Sequence, residues 1–172
     1  MTPTVQAEGV NPVCGQREPM TLLLLGIDEH EQSDVIRIVR VDFIAKRILV
    51  LSIPRDFWVA IPGMGTHGIT DFKINAAYGY GEYFLGAGQG VVESSNTIYQ
   101  NYGVTFDRYV VFHFTNFAQM IDAVGGVDVV LDAPIGAYGT AGTTHLNGTS
   151  ALEYARNRDA DNDNFRVLRQ SA

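Results

Sequence analysis

Three apolar segments follow one another in the first third of the chain, and they constrain its fold more than any other feature. The segment TLLLLGI is continuously apolar, DVIRIVRVDF alternates apolar with charged residues, and RILVLSIP is apolar and β-branched up to its proline. A period of two is typical of a strand, and a short continuous apolar run is typical of a buried strand. The sequence therefore predicts a sheet whose second and third strands form a hairpin that turns near Ala45 and Lys46.

The rest of the chain alternates predicted strands and helices. RYVVFHF and VDVVLDAP are predicted strands, and VVESSNTIYQNY is a predicted helix that ends at Gly103. TNFAQMIDAV is a second predicted helix, capped at Thr115 or Asn116 and ended by Gly125. Strands and helices in this order predict an α/β fold.

The glycine-rich segments show no clear helical or strand period. GMGTHGITD and YGYGEYFLGAGQG are predicted to be turns, and a phosphate-binding P-loop is rejected because the chain has no GxxxxGK[ST] motif. Further along, IGAYGTAGTTHL is a predicted loop and NGTSALEYAR a short helix capped by Asn147 or Thr149. A further helix is expected to begin at Asp163.

Composition and charge limit the classes of function. With 172 residues, 46% of them hydrophobic, we expect one globular domain over residues 20–172, preceded by a flexible tether at 1–19. The 12 basic and 19 acidic residues give a net charge of −7, which argues against nucleic-acid binding because that requires a broad basic surface. The early run MTLLLLGI is shorter than the roughly 20 residues of a membrane-spanning helix. A single cysteine, Cys14, leaves the cellular compartment open.

Basic residues concentrate near the end of this acidic chain. Four arginines stand around three aspartates there: Arg156, Arg158, Arg166 and Arg169 around Asp159, Asp161 and Asp163. A calcium loop of the EF-hand type does not fit, because Asn164 and Gln170 stand where that loop needs glycine and glutamate. Two interpretations remain. The arginines neutralise neighbouring aspartates in a solvated loop, or they form with Gln170 a cationic cradle whose guanidinium groups hold a pyrophosphate.

Charged residues also stand where predicted strands end. Asp28 and Asp34 follow the first strand, and Arg55 and Asp56 follow the proline of the third. Strand ends carry functional residues in open α/β sheets, and two carboxylates with water and a substrate phosphate suit Mg²⁺. The alternative for each aspartate is that it caps a turn. Together with the arginines, the aspartates favour a site for Mg²⁺, with Mn²⁺ as the alternative ion.

In the order of these motifs the chain resembles the LytR–CpsA–Psr proteins of bacterial envelopes, also called cell envelope-related transcriptional attenuators. The resemblance rests on LLLLGID, SIPRDFWVAIPG, KINAAYGYG, DAVGGVDV and YARNRDADNDNFRVLRQ, and it covers nearly all of the chain after Pro19. It implies a three-layer α/β/α domain with a central mixed sheet flanked by helices and an apolar pocket for a polyprenyl chain.

The same resemblance implies a function. Proteins of this family transfer a polyprenyl-pyrophosphate-linked glycan (teichoic acid, capsule or another wall glycopolymer) onto peptidoglycan as metal-dependent phosphotransferases. They are anchored by an N-terminal membrane helix and act on the extracytoplasmic face of the cell membrane. For the aromatic residues the default expectation is core packing, and the alternative is the wall of the lipid pocket: Trp58, Phe72, Phe84, Phe112, Phe114 and Phe117.

Site residues follow from matching the motifs one by one. The metal would be held by Asp28 and Asp34. Pyrophosphate would be bound by Arg55, Lys73, Arg156, Arg158 and Gln170, with Arg166 and Arg169 extending or bracing that patch. The expected catalytic residues within this set are Asp28, Asp34, Arg55 and Arg156. No protein nucleophile is required, because phosphoryl transfer depends on positioning and charge neutralisation, and Asp28 is the candidate base.

The chain departs from the family pattern in two places. The loop DEHEQSD is shorter than is usual, with Gln32 and Val35 in place of arginine and threonine, and the chain stops soon after its RQ motif. A second interpretation is therefore a lipid-binding module that holds polyprenyl pyrophosphate with at most pyrophosphatase activity. A transcriptional regulator is a third class, poorly supported because the sequence contains no helix-turn-helix pattern and no basic surface.

Overall fold

A computed structural model describes residues 18–131 and 142–156. Between Val111 and Phe112 the chain divides into two compact units, which are described separately. Several predictions concern residues that lie outside the described ranges: most of the tether, the helix expected from Asp163, and the site residues Arg158, Arg166, Arg169 and Gln170.

The first unit is built on a four-stranded sheet of order β3-β2-β1-β6. Its strands are β1 (Met20–Ile27), β2 (Ser33–Asp42), β3 (Arg47–Ser52) and β6 (Arg108–His113), and a separate hairpin consists of β4 (Trp58–Ala60) and β5 (Asp71–Lys73). β2 pairs antiparallel with both β1 and β3. The predicted hairpin is thus confirmed, with its turn at residues 43–46.

Alternation along the strands builds the core of this unit. Leu23, Leu25 and Ile27 of β1 are buried together with Ile36 of β2, because alternate residues of a strand face the same side. Helix α2 (Gly90–Tyr102) contributes Ile98 to the same cluster and ends at Gly103 as predicted, where the backbone is left-handed with φ of 69°. Burying such side chains is the main favourable contribution to folding.

A helical segment at residues 74–85 replaces turns that the sequence predicts there. It consists of a 3₁₀ turn (Ile74–Ala76), helix α1 (Ala77–Tyr80) and a π-helical turn (Gly81–Leu85). The turn prediction is wrong over residues 78–85, because Gly79 and Gly81 serve close packing there. It is confirmed at Gly63, Gly68 and Gly88, which lie in turns with positive φ. A Cβ on Gly79 would lie 2.9 Å from the Glu31 carbonyl oxygen, and one on Gly81 would lie 2.5 Å from the Gln89 carbonyl oxygen.

The second unit pairs two helices with a two-stranded sheet. Its elements are α3 (Phe114–Ala123), β7 (Val127–Leu131), β8 (Gly142–Leu146) and α4 (Gly148–Arg156). β8 pairs antiparallel with β7, so the loop predicted for this segment is wrong over its last five residues. The segment GTTHL contains one apolar residue, and its strand conformation therefore depends on pairing with β7 rather than on a visible period.

Two helix starts test the cap predictions. Helix α3 begins at Phe114 after an extended His113, with no side-chain cap, so the prediction of a cap at Thr115 or Asn116 is wrong. β6 leads directly into α3, which leaves no loop in which a capping residue could precede the helix. For α4 the prediction is confirmed at Asn147, whose Oδ1 accepts the backbone N–H of Ser150 at 2.9 Å.

The strands and helices together confirm the predicted α/β class with a mixed sheet flanked by helices. Core packing is confirmed for Phe114 but is wrong for Trp58 and Phe72, which are exposed. In β4 the core position belongs to Val59, so the adjacent Trp58 faces the other side of the strand. None of the helices in residues 18–131 and 142–156 is long and apolar enough to cross a membrane.

Candidate functional site

Four charged side chains of the first unit meet where its strands begin and end. Asp34 is the second residue of β2, Arg55 and Asp56 follow β3, and Lys73 is the last residue of β5. The Arg55 guanidinium pairs with the Asp34 carboxylate and lies 3.4 Å from the Asp56 carboxylate, which Lys73 Nζ contacts at 2.6 Å. We call Asp34, Arg55, Asp56 and Lys73 the charged cluster.

The charged cluster runs from the protein interior to its surface. The Asp34 side chain is 8% exposed and that of Lys73 is 48% exposed, with Arg55 and Asp56 between them. Buried charges interact more strongly than exposed ones, and removing one partner of a buried pair leaves the other uncompensated. Asp34 therefore holds Arg55 firmly, whereas Asp56 and Lys73 form the exposed end of the cluster.

Backbone hydrogen bonds hold Arg55 against the start of the helical segment. The Arg55 carbonyl accepts the N–H of Asn75 at 3.1 Å, and the Phe57 carbonyl accepts the N–H of Ile74 at 2.8 Å. Asn75 is buried, and its Nδ2 donates to Gln32 Oε1 at 2.9 Å. Asn75 thus joins the loop that carries Asp28 and Asp34 to the loop that carries Arg55.

Sequence reasoning missed Asn75 and the role of Gln32. The sequence shows only an asparagine two residues after Lys73. The structure shows that this asparagine is buried. A buried amide requires hydrogen-bond partners, which identifies such a residue as a positioning element. Gln32 stands where the family pattern has an arginine. Its side chain accepts a hydrogen bond from Asn75 and so supports the site.

Asp28 caps its own loop. Its Oδ1 accepts the backbone N–H groups of His30 at 2.9 Å and Gln32 at 2.8 Å. This is the turn-capping geometry that the sequence leaves open as the alternative role for Asp28. It does not use the second carboxylate oxygen.

Asp28 and Asp34 each have a carboxylate oxygen that could bind a hard cation. Among the described residues, neither Asp28 Oδ2 nor Asp34 Oδ2 has a hydrogen-bond partner, which leaves one oxygen of each carboxylate for a ligand. Mg²⁺ is commonly held by one or two carboxylates, with water and substrate phosphate completing its shell. The same parts of the chain contain no group of three or more His, Cys, Asp or Glu side chains able to hold a metal.

Arg156 belongs to the second unit. It lies in the last turn of α4, with its guanidinium carbon 5.3 Å from the centre of the Phe114 ring. That distance is within the range of a cation–π contact, which orients the guanidinium without neutralising its charge. The contact places the Arg156 guanidinium beside the first residue of α3.

Comparison with known proteins gives a consistent result. The model of the LytR_cpsA_psr family matches residues 3–172. The regulatory protein MsrR of Staphylococcus aureus (strain COL) is 35% identical over 162 residues, which cover 88% of this chain and 46% of MsrR. Polyisoprenyl-teichoic acid–peptidoglycan teichoic acid transferase TagV of Bacillus subtilis (strain 168) is 34% identical, over 85% of this chain and 39% of TagV. The chain thus spans about half the length of such relatives, or less.

Solved structures of similar proteins support the same family assignment. The crystal structure of B. subtilis TagV matches with a TM-score of 0.75 and 32% identity, over 91% of this chain and 62% of that one. TagT with bound octaprenyl pyrophosphate matches with a TM-score of 0.73 and 26% identity, over 98% of this chain and 65% of that one. The backbone described above is therefore similar to one that has been observed holding a polyprenyl pyrophosphate.

Proposed function

The chain belongs to the LytR_cpsA_psr family, and from this premise we propose that it transfers a polyprenyl-pyrophosphate-linked glycan onto peptidoglycan. The glycan is a teichoic acid or another wall glycopolymer, and the reaction serves cell wall biogenesis. The name of TagV and the lipid bound to TagT support this proposal. We further propose that the protein acts on the extracytoplasmic face of the bacterial cell membrane, to which an N-terminal anchor attaches it.

One observation carries the proposal: the pair of Arg55 and Asp34 at the inner end of the charged cluster. A guanidinium held by a buried carboxylate is preorganised, since its orientation does not have to be established when the ligand arrives. Lys73 lies on the other side of Asp56 and presents a second cation. Two cations of fixed position suit the two phosphates of a pyrophosphate.

The chemistry that this arrangement supports is phosphoryl transfer. A peptidoglycan hydroxyl attacks the phosphorus that bears the glycan, a new P–O bond forms, and the P–O bond to the polyprenyl phosphate breaks. Polyprenyl phosphate leaves with the charge that develops on the bridging oxygen. Arg55 and Lys73 neutralise that charge. The proton of the hydroxyl passes to Asp28 Oδ2 when the metal does not occupy that oxygen, and to solvent water when it does.

The metal and the C-terminal residues complete the proposal. Mg²⁺, or Mn²⁺, would be held by Asp28 and Asp34 and would supply further neutralisation of phosphate charge. The family resemblance alone supports pyrophosphate binding by the remaining site residues: Arg156, Arg158, Arg166, Arg169 and Gln170.

Donor binding tests the proposed site. Arg55→Ala should weaken binding of polyprenyl pyrophosphate in detergent micelles by about 10- to 100-fold, because a charge-assisted hydrogen bond contributes about 1.5–3 kcal/mol. The matched control is Arg47→Ala, an exposed arginine at the opposite end of β3, which should bind like the wild type. Equal affinity of the wild type and Arg55→Ala, measured by microscale thermophoresis, would contradict the site.

Turnover separates a transferase from a lipid-binding module. The substitution Asp34→Asn keeps the shape of the side chain and removes its charge. A transferase should lose transfer to peptidoglycan in this variant while still binding the donor, and the wild type should lose transfer when a chelator removes the metal. A wild type that binds the donor tightly but shows no metal-dependent turnover would leave the binding module as the function.

A further inference from the structure

A continuous row of aromatic rings lies on the surface of the first unit. Successive ring centres are 5.4 Å, 5.7 Å and 6.0 Å apart from Trp58 through Phe72 and Tyr80 to Phe84, and Tyr83 lies 4.8 Å from Phe84. We call these five residues the aromatic strip: Trp58, Phe72, Tyr80, Tyr83 and Phe84. The β4–β5 hairpin supplies the first two and the helical segment the other three.

The aromatic strip is packed against the protein in its middle and exposed at its two ends, and the ring of Phe84 also stacks on that of His67, with ring centres 4.1 Å apart. Tyr80 and Phe84 are partly buried and pack against the hydrophobic core. Trp58 is 66% exposed and Tyr83 is 82% exposed, and Phe72 between them is also exposed. Large contiguous apolar surfaces on a folded domain mark binding sites more often than isolated exposed side chains do. The rigid base means that a ligand would meet rings already in position.

The aromatic strip begins where the charged cluster ends. Trp58 is directly opposite Lys73 in the β4–β5 ladder, and it follows Arg55 by three residues. Any molecule whose reacting group is held at Arg55 and Lys73 has the strip beside it. The strip is therefore continuous with the proposed phosphate site.

We infer that the aromatic strip binds the sugar rings of the peptidoglycan acceptor, an inference that rests on the proposed transfer. The C–H face of a pyranose carries partial positive charge and lies flat on the negative face of an aromatic ring. The hydroxyl groups of Tyr80 and Tyr83 add hydrogen-bonding partners at the edge of the strip. Neighbouring ring planes are tilted by 38° to 89°, so each exposed ring stacks on a separate sugar, which suits a polymer rather than a single sugar.

An isoprenoid chain suits this surface less well. Its binding depends on removing apolar area from water, which requires walls on several sides. The two end residues of the strip, Trp58 and Tyr83, keep most of their surface in solvent, so the strip does not enclose a ligand on several sides. A glycan strand needs one stacked face and keeps its hydroxyl groups hydrated on the other.

The chain's single tryptophan makes the inference directly measurable. Soluble glycan strands prepared from peptidoglycan should change the Trp58 emission in a saturable way when added to the 172-residue chain without donor. Polyprenol in detergent micelles, which lacks the phosphate that the charged cluster would hold beside Trp58, should not change the emission. If the lipid changes the emission and the glycan strands do not, the strip is a lipid surface and the inference is overturned.

Binding to insoluble sacculi, stripped of attached glycopolymers, tests the residues one by one. Tyr83→Ala and Trp58→Ala should each weaken co-sedimentation by about three- to tenfold, whereas Trp58→Phe, which keeps a ring, should retain most of it. The matched control is Tyr109→Ala, since Tyr109 is 63% exposed on β6 outside the strip. Circular dichroism spectra would verify that each variant is folded.

The outcomes separate this inference from the proposed function. If Tyr83→Ala and Trp58→Ala bind sacculi like the wild type while transfer proceeds, the strip is not the acceptor surface and the transferase stands. If both variants lose binding to sacculi while the wild type does not bind polyprenyl pyrophosphate, the glycan-binding surface is supported and the proposed transfer is refuted. Equal losses in Tyr109→Ala would make the binding nonspecific and would overturn the inference.

Discussion

Glu93 makes the stability of this protein depend on pH in a direction that can be measured. Its side chain lies in α2 and is 2% exposed, and its Oε1 has no hydrogen-bond partner among the described residues. Burial raises the pKa of the Glu93 carboxyl from 4.5 to about 7, and the Thr97 side chain one turn along offsets this only partly. A buried carboxyl without sufficient partners favours its neutral form.

The sign and size of the effect follow from linkage. Because the folded pKa is the higher one, the unfolded chain loses its proton first as pH rises, and stability falls between pH 4.5 and about 7. Each pH unit in that window is worth about 1.4 kcal/mol. Over the interval from pH 5 to pH 8 the wild type should lose about 2 to 3 kcal/mol through Glu93. That is a large share of the roughly 5–15 kcal/mol that stabilises a typical domain.

The substitution Glu93→Gln removes the ionisable carboxyl group and keeps a side chain of nearly the same shape. Urea unfolding followed by circular dichroism at pH 5 and pH 8 should show that the variant gains stability relative to the wild type as pH rises. Glu153→Gln, at an exposed position on α4, is the matched control and should follow the wild type at both values. Parallel pH profiles for the wild type and Glu93→Gln would refute the reasoning, because Glu93 would then titrate alike in the folded and unfolded chains.

Two further substitutions test packing and capping. Gly81→Ala should lower stability by about 1–3 kcal/mol, since its Cβ would lie 2.5 Å from the Gln89 carbonyl oxygen, whereas Gly65→Ala, with no atom within 4 Å, should be nearly neutral in thermal unfolding. Asn147→Ala should cost about 1 kcal/mol in urea unfolding through loss of the cap on α4, and Asn147→Asp should preserve it; an alanine variant as stable as the wild type would exclude this cap.

The parts of the fold that were predicted correctly are those in which local pattern and tertiary packing agree. In β1 and β2 the apolar residues from which the strands are predicted include those that fill the core, such as Leu25 and Ile36. The sequence does not predict the helical segment, because the low helix propensity of its glycines opposes a helical conformation. Gly79 and Gly81 each disfavour a helix by about 1 kcal/mol relative to alanine, and only the close contacts of the folded state explain their presence.

The sequence predicts those residues of the candidate site that lie next to the ends of predicted strands. Asp34 and Arg55 stand next to ends of predicted strands, and the structure brings them into one cluster with Lys73, which only the family motif indicates. The bridging roles of Asp56 and Asn75 depend on side-chain geometry across loops that are distant in sequence, which no local pattern encodes. The same limit applies to the aromatic strip, for which the sequence predicts core packing at Trp58, Phe72 and Phe84 and nothing at Tyr80 and Tyr83.

The helical segment connects the two proposed binding surfaces. At its start, Asn75 holds the Arg55 backbone and the Gln32 side chain, and so positions the cationic site. Further along, Tyr80 and Tyr83 carry the aromatic strip. Because one helical segment contributes to both surfaces, it would set the distance between a bound pyrophosphate and a bound sugar. Transfer between two large substrates requires this kind of positioning, since the attacking hydroxyl must be held close to the phosphorus.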